Sequence, residues 1–140
     1  MTTEPKATLV GLNHITLAVS ELRRSFEFYT ETLRMTPRAR WKRGAYLSCG
    51  ELWLCLSVDS PKPAADYSHI AFTIRSQELP EWQLRFADAD VPLWKDNTSV
   101  GTSIYFLDPD GHQLELHAGD LQSRLESIRQ EPCEGLEFFD

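Results

Sequence analysis

The chain has 140 residues, 41% hydrophobic and 25% charged, the proportions of an ordinary globular protein of one domain. Fourteen basic residues against 21 acidic ones leave a net charge of −7. That balance argues against nucleic acid or an anionic membrane as partner, and any anionic substrate must be met by a local basic patch. No apolar run approaches the ~20 residues of a membrane span, and the first residues lack the apolar stretch of a secretory signal. Cys49, Cys55 and Cys133 fit no CxxC spacing, so the expectation is a cytoplasmic protein with reduced thiols.

In chain order the pattern predicts βαβββ twice. Residues 9–19 alternate as a strand. Residues 21–33 place Leu22, Phe26, Tyr29 and Leu33 at helical spacing, with Ser20 as N-cap and Pro37 closing the element. Short strands follow at 38–42, 45–48 and 52–58, and 60–63 is a loop too short to link domains. The second unit repeats the order: a strand at 67–74, a helix at 77–87 carrying Leu79, Trp82, Leu84 and Phe86, then strands at 91–95, 103–107 and 113–117. Asp108-Pro109-Asp110-Gly111 makes the tight turn before the last strand. The expected architecture is one α+β domain over 1–140, duplicated between about 9–58 and 67–117, with a polar helix appended at about 120–130.

A short pattern marks the duplication. Residues 13–19 read Asn-His-Ile-Thr-Leu-Ala-Val and 68–74 read Ser-His-Ile-Ala-Phe-Thr-Ile. His14 and His69 therefore stand at equivalent strand positions, and Glu115 on the last strand is a third candidate ligand. Two imidazoles and a carboxylate are a common metal-binding set. Alternation turns His14 and Thr16 to one face, Ser103 and Tyr105 to one face, and Gln113, Glu115 and His117 to one face. Polar groups on the concave side of a sheet need partners, and ligand-capable groups on equivalent strands supply one another. The first unit's counterpart of Glu115 is expected at Trp53 or Leu54, neither able to ligate, which leaves coordination positions open for substrate or water. His112 and His117 are read as structural.

A second constellation runs from Lys95 to Tyr105. Asn97, Ser99, Gly101 and Ser103 alternate along a loop entering a strand and offer oxygens to a hard cation, with a plain solvated loop as the competing reading. Lys95, Tyr105 and, on the last helix, Arg124 would make an oxyanion or phosphonate cradle in an acidic protein.

These stretches together resemble the fosfomycin-resistance glutathione transferases of the FosA type, in the vicinal oxygen chelate superfamily. The resemblance is carried by 11–19 (Gly-Leu-Asn-His-Ile-Thr-Leu-Ala-Val), 44–47 (Gly-Ala-Tyr-Leu), 52–57 (Leu-Trp-Leu-Cys-Leu-Ser) and 65–69 (Ala-Asp-Tyr-Ser-His). It continues through 94–97 (Trp-Lys-Asp-Asn), 105–112 (Tyr-Phe-Leu-Asp-Pro-Asp-Gly-His) and 114–121 (Leu-Glu-Leu-His-Ala-Gly-Asp-Leu). It implies paired βαβββ units forming an open, cupped mixed sheet, and a homodimer with active sites shared between subunits. It implies Mn²⁺ on His14, His69 and Glu115, and K⁺ as activator near Asn97, Ser99, Gly101 and Ser103. Fosfomycin's phosphonate would lie among Lys95, Ser99, Ser103, Tyr105 and Arg124, with Thr16 and Trp53 lining the site and Trp41 and Tyr46 toward the channel for glutathione's thiol. Thr16, Tyr46, Lys95, Tyr105 and Arg124 are the residues it implicates in the chemistry.

The chain departs from the family at Thr98, where Arg is frequent, at Ile70, where Tyr is, and at Arg43, where a neutral polar residue is usual. The bacillithiol-using branch carries Cys at the position of Thr16, and the water-using branch places a Glu general base near Gly44; this chain has neither. Metal-dependent transfer of glutathione to fosfomycin is thus the expected activity. A fosfomycin epoxide hydrolase, another enzyme of the superfamily, or a drug-binding protein without catalysis are the alternatives.

Overall fold

A computed structural model of the chain describes Glu4, residues 6–96 and residues 102–139. The chain divides after Pro61 into two compact units.

The first unit holds β1 (His14–Val19), α1 (Leu22–Glu27), β2 (Thr36–Trp41), β3 (Gly44–Cys49) and β4 (Leu52–Val58). Its four strands lie in the order β1-β4-β3-β2, with β1 parallel to β4 and the other pairs antiparallel. One sheet face is the core: Leu17, Val19, Ala45, Leu47, Leu54 and Leu56 pack there under Tyr29 and Met35. The helix differs from expectation at both ends. Ser20 does not cap it; Glu21 is the N-cap, without a side-chain bond, and Ser20 Oγ instead accepts from Arg24 Nη2 at 3.0 Å. α1 runs into a wider π-helical turn over Phe28–Thr32, with Leu33 N–H donating to the Phe28 carbonyl at 3.0 Å. Arg34 then takes φ 59°, a left-handed conformation no helix can continue, so the element ends there and Pro37 belongs to β2.

The second unit holds β5 (Ile70–Thr73), a 3₁₀ turn at Ser76–Glu78, α2 (Leu79–Asp88), β6 (Leu93–Lys95), β7 (Thr102–Leu107), β8 (Gln113–Ala118) and α3 (Leu121–Gln130). Strand order β5-β8-β7-β6 repeats that of the first unit. Phe72, Ile104, Phe106, Leu114 and Leu116 form the core with Phe86 of α2, whose ring centroid lies 4.7 Å from that of Phe106. The β7–β8 turn is built by Asp108, 3% exposed, whose Oδ1 accepts from the N–H groups of Asp110 and His112 at 2.9 Å each. Asp120 caps α3, accepting from Ser123 N–H at 2.8 Å while Ser123 Oγ accepts from the Asp120 N–H at 3.0 Å. Hydrogen bonding from Ser123, its backbone N–H first, holds the Asp120 carboxyl below its ordinary range.

Both leading strands are shorter than alternation suggests. β4 begins at Leu52 and meets β1 from His14 onward, so residues 9–13 have no ladder partner there, and Leu9, Val10 and Leu12 stand exposed. A strand exists only where a neighbour takes its N–H and C=O groups.

Candidate active site

In the second unit the face opposite the core is polar and packed. Register sets Tyr105 beside Glu115 and Ser103 beside His117 on β7 and β8, all four on that face. Glu115 is 7% exposed, and both its oxygens are engaged: Oε1 lies 2.9 Å from His69 Nε2, and Oε2 accepts from Ser103 Oγ at 2.6 Å. His69 sits just ahead of β5 rather than inside it. Its Nδ1 lies 2.8 Å from the Tyr67 carbonyl, which fixes the ring so that Nε2 faces Glu115. The segment before it is pinned by Gln113, whose Nε2 donates to the carbonyls of Asp66 at 2.7 Å and Ser68 at 2.9 Å.

Lys95 joins this cluster through two tyrosines. Its Nζ donates to Tyr67 Oη at 2.6 Å and lies 4.6 Å and 4.7 Å from the ring centroids of Tyr67 and Tyr105. The bond to Tyr67 raises the ammonium's pKa above its ordinary value. The same two rings flank His69, with centroid separations of 4.9 Å and 6.1 Å. Trp94 fills the space between them, its indole N–H tied to the Leu114 carbonyl at 2.9 Å. A fixed ammonium and a His–carboxylate donor pair therefore share one aromatic wall. Ordered N and O donors of this kind suit a divalent cation of the Mn²⁺, Fe²⁺ or Zn²⁺ class.

In the first unit the corresponding face is open. His14 is exposed, its Nδ1 2.7 Å from Asn13 Oδ1 and its ring 4.3 Å from that of Trp53. Tyr46 meets Trp41 edge-on at 4.7 Å and Trp53 at 5.1 Å. Thr16 and Trp53 are exposed on the same side. Arg124 is half-buried on the first turn of α3 and is no member of the bonded cluster around Glu115. Asn97, Thr98, Ser99 and Gly101 lie outside the described residues; of the expected cation loop only Ser103 is described, and it is bonded to Glu115.

Strand pairing corrects one expectation directly. Glu115 pairs with Ala71 and Tyr105; in the first unit the residue flanked by the equivalent Thr16 and Tyr46 is Cys55. The counterpart of the carboxylate is thus a thiol, not Trp53 or Leu54. Sequence reasoning also missed Tyr67, Trp94 and the engagement of His117. The signal for His117 was its two-residue spacing from Glu115; Tyr67 and Trp94 stand in stretches that carry the family resemblance, but their contacts, in a loop and an edge strand, leave no periodic trace. Gly44 is a tight position: a Cβ there would lie 2.6 Å from the Trp41 ring and 2.8 Å from the Leu56 carbonyl oxygen. No side chain fits without displacing backbone.

Residues 11–116 match the model of the Glyoxalase/Bleomycin resistance protein/Dioxygenase superfamily. The chain belongs to this superfamily. Within it, the chain is 49% identical to glutathione transferase FosA of Serratia marcescens, over 93% of this chain and 96% of that one. It is 37% identical to metallothiol transferase FosB of Staphylococcus saprophyticus, over 86% and 85% of the two. The fold resembles the crystal structure of fosfomycin resistance protein FosX from Listeria monocytogenes complexed with Mn(II) and sulfate, with TM-score 0.79 and 32% identity over 86% of this chain and 99% of that one. A FosX variant complexed with Mn(II) and 1S,2S-dihydroxypropylphosphonic acid matches at TM-score 0.77 and 31% identity, over 85% and 99%. Among the described residues no helix is long and apolar enough to cross a membrane.

Proposed function

We propose that this member of the superfamily transfers glutathione to the epoxide of fosfomycin and so inactivates the antibiotic. The observation that supports this best is the His69–Glu115 donor pair sharing the Tyr67–Tyr105 wall with the Lys95 ammonium. A cation site beside a fixed positive charge suits a substrate that carries both an electrophilic oxygen and a phosphonate.

His14, His69 and Glu115 would hold a divalent cation, Mn²⁺ in this reading, and the chemistry it supplies when bound is Lewis acidity toward the epoxide oxygen. The chain's own groups do the rest. Lys95, Tyr105 and Arg124, with Ser99, hold the phosphonate so that the reacting carbon faces the incoming sulfur, and Ser103, whose hydroxyl proton goes to Glu115, borders it. Thr16 and Trp53 line the site. Glutathione's thiol has a reference pKa of about 8.5, and Tyr46, beside Trp41 on the thiol side, assists its ionisation. The C–S bond forms as the C–O bond breaks, and the released oxygen is protonated from solvent. Asn97, Ser99, Gly101 and Ser103 would take K⁺, whose charge beside the phosphonate favours binding. We read the assembly as a cytoplasmic homodimer with active sites shared between subunits.

One observation favours a second reading, addition of water. A related FosX is known with a dihydroxypropylphosphonic acid, the diol that water would make from this epoxide. Against it, hydrolysis needs a general base near the carbon, and position 44 has no room for a side chain. Incubation with Mn²⁺ and fosfomycin, with and without glutathione, followed by phosphorus NMR, separates the two. The expected product is the glutathione adduct with negligible diol. Dominant diol in millimolar glutathione would refute the transferase reading and leave the metal set standing.

A further inference from the structure

His117 is not among the residues given a role above, yet its geometry is as constrained as that of the ligands. It is half-buried on β8, with Nδ1 2.7 Å from Ser103 Oγ and 3.3 Å from Glu115 Oε2. Ser103 Oγ carries one proton, and the 2.6 Å contact commits that proton to the Glu115 carboxylate, which can only accept. Toward His117 the hydroxyl must therefore act as acceptor, and the imidazole must carry its proton on Nδ1. The chain of donation runs His117 Nδ1–H to Ser103 Oγ–H to Glu115 Oε2, leaving Oε1 for His69 Nε2.

The far end of the ring is fixed as well. A Cβ on Gly119 would sit 2.8 Å from His117 Nε2, so the ring occupies room that only glycine leaves at the entry to α3. His117's carbonyl accepts from Ile74 N–H at 3.0 Å, anchoring the backbone beneath. The imidazole is a strut between the start of α3 and the buried carboxylate.

We propose that His117 is a positioning residue, which through Ser103 holds Glu115 in the rotamer that presents Oε1 beside His69. This rests on the metal reading of His69 and Glu115. Outer partners of metal-ligating carboxylates set ligand orientation, and their loss weakens metal binding by about 10–100-fold.

The test measures Mn²⁺ dissociation constants by electron paramagnetic resonance on the full chain, with folding checked by circular dichroism. His117→Ala is expected to bind Mn²⁺ about 10–100-fold more weakly. His117→Asn, whose amide nitrogen can occupy the Nδ1 position, restores most of the affinity, and His117→Gln, whose amide reaches toward Nε2, does not. In the metal-free protein, ¹⁵N NMR should read His117 as the Nδ1–H tautomer. Parental affinity in His117→Ala, equal affinities in Asn and Gln variants, or an Nε2–H tautomer would each overturn the proposal. If the alanine variant fails to fold, the Asn–Gln pair decides alone. Glu115→Gln separates this from the underlying reading: if that variant keeps parental Mn²⁺ affinity, the metal reading fails. If it loses Mn²⁺ while His117→Ala does not, only the positioning role fails.

Discussion

The two units share a strand order and a register, and they differ on one face. Core positions match: Leu54 and Leu114, equivalent on β4 and β8, are both fully buried. Across the sheet they part. The first unit sets Cys55 between Thr16 and Tyr46, where the second sets Glu115 between Ala71 and Tyr105. Gly44 and Ser57 in the first correspond to Ser103 and His117 in the second. The two units thus share their apolar packing, which tolerates little change in volume, and differ on the other face. One unit offers an exposed imidazole, bonded only to its neighbour Asn13 among the contacts described, beside aromatic rings; the other offers a closed network of bonded polar groups. The comparison teaches that register alone does not make a site, and that the second unit's carboxylate can be buried because its neighbours satisfy it.

The largest expected contrast is between ligand positions. His69→Ala should abolish Mn²⁺ binding at micromolar metal and with it fosfomycin turnover, while circular dichroism stays native. Cys55→Ser, at the position equivalent to Glu115, should leave Mn²⁺ affinity and turnover unchanged. A metal-free, fully active His69→Ala protein would break the comparison. The core should instead respond symmetrically. Leu54→Ala and Leu114→Ala are each expected to cost about 2–5 kcal/mol in denaturant unfolding. A cost in one unit only would show that the buried faces have diverged too.

Arg124→Ala should lose about 2–4 kcal/mol in kcat/KM for fosfomycin, with little change in glutathione dependence. The reverse pattern would move Arg124 to the thiol side. K⁺ should accelerate turnover more than Na⁺ at equal ionic strength, and Ser99→Ala should reduce the difference.

The smallest effects concern protons. Lys95 is raised by its bond to Tyr67, so the ammonium persists across neutral pH and its contribution is lost only as pH rises through that raised value. Tyr67→Phe should bring the alkaline fall of kcat/KM for fosfomycin to lower pH. Asp120 is depressed by Ser123, so its cap is complete above the ordinary carboxylate range, near 4, and is lost as pH falls through the lower folded value. Acid titration of helicity should show α3 loosening in that window, and Asp120→Ala should remove the step.

The amino-acid sequence by itself determined the repeated βαβββ order and the candidacy of His14, His69 and Glu115, because period-2 alternation and a repeated motif are written locally. It also carried the family resemblance. Only the tertiary structure decided where the leading strands begin, because a strand ends where its neighbour does. Pairing, not spacing, identified Cys55 as the counterpart of Glu115: residues in turns and bulges shift a count along the chain but cannot shift a hydrogen-bonded ladder. Tyr67, Trp94 and His117 entered the site for the same reason. Their roles depend on which atoms face them across the sheet, and that is set by packing between segments distant in sequence.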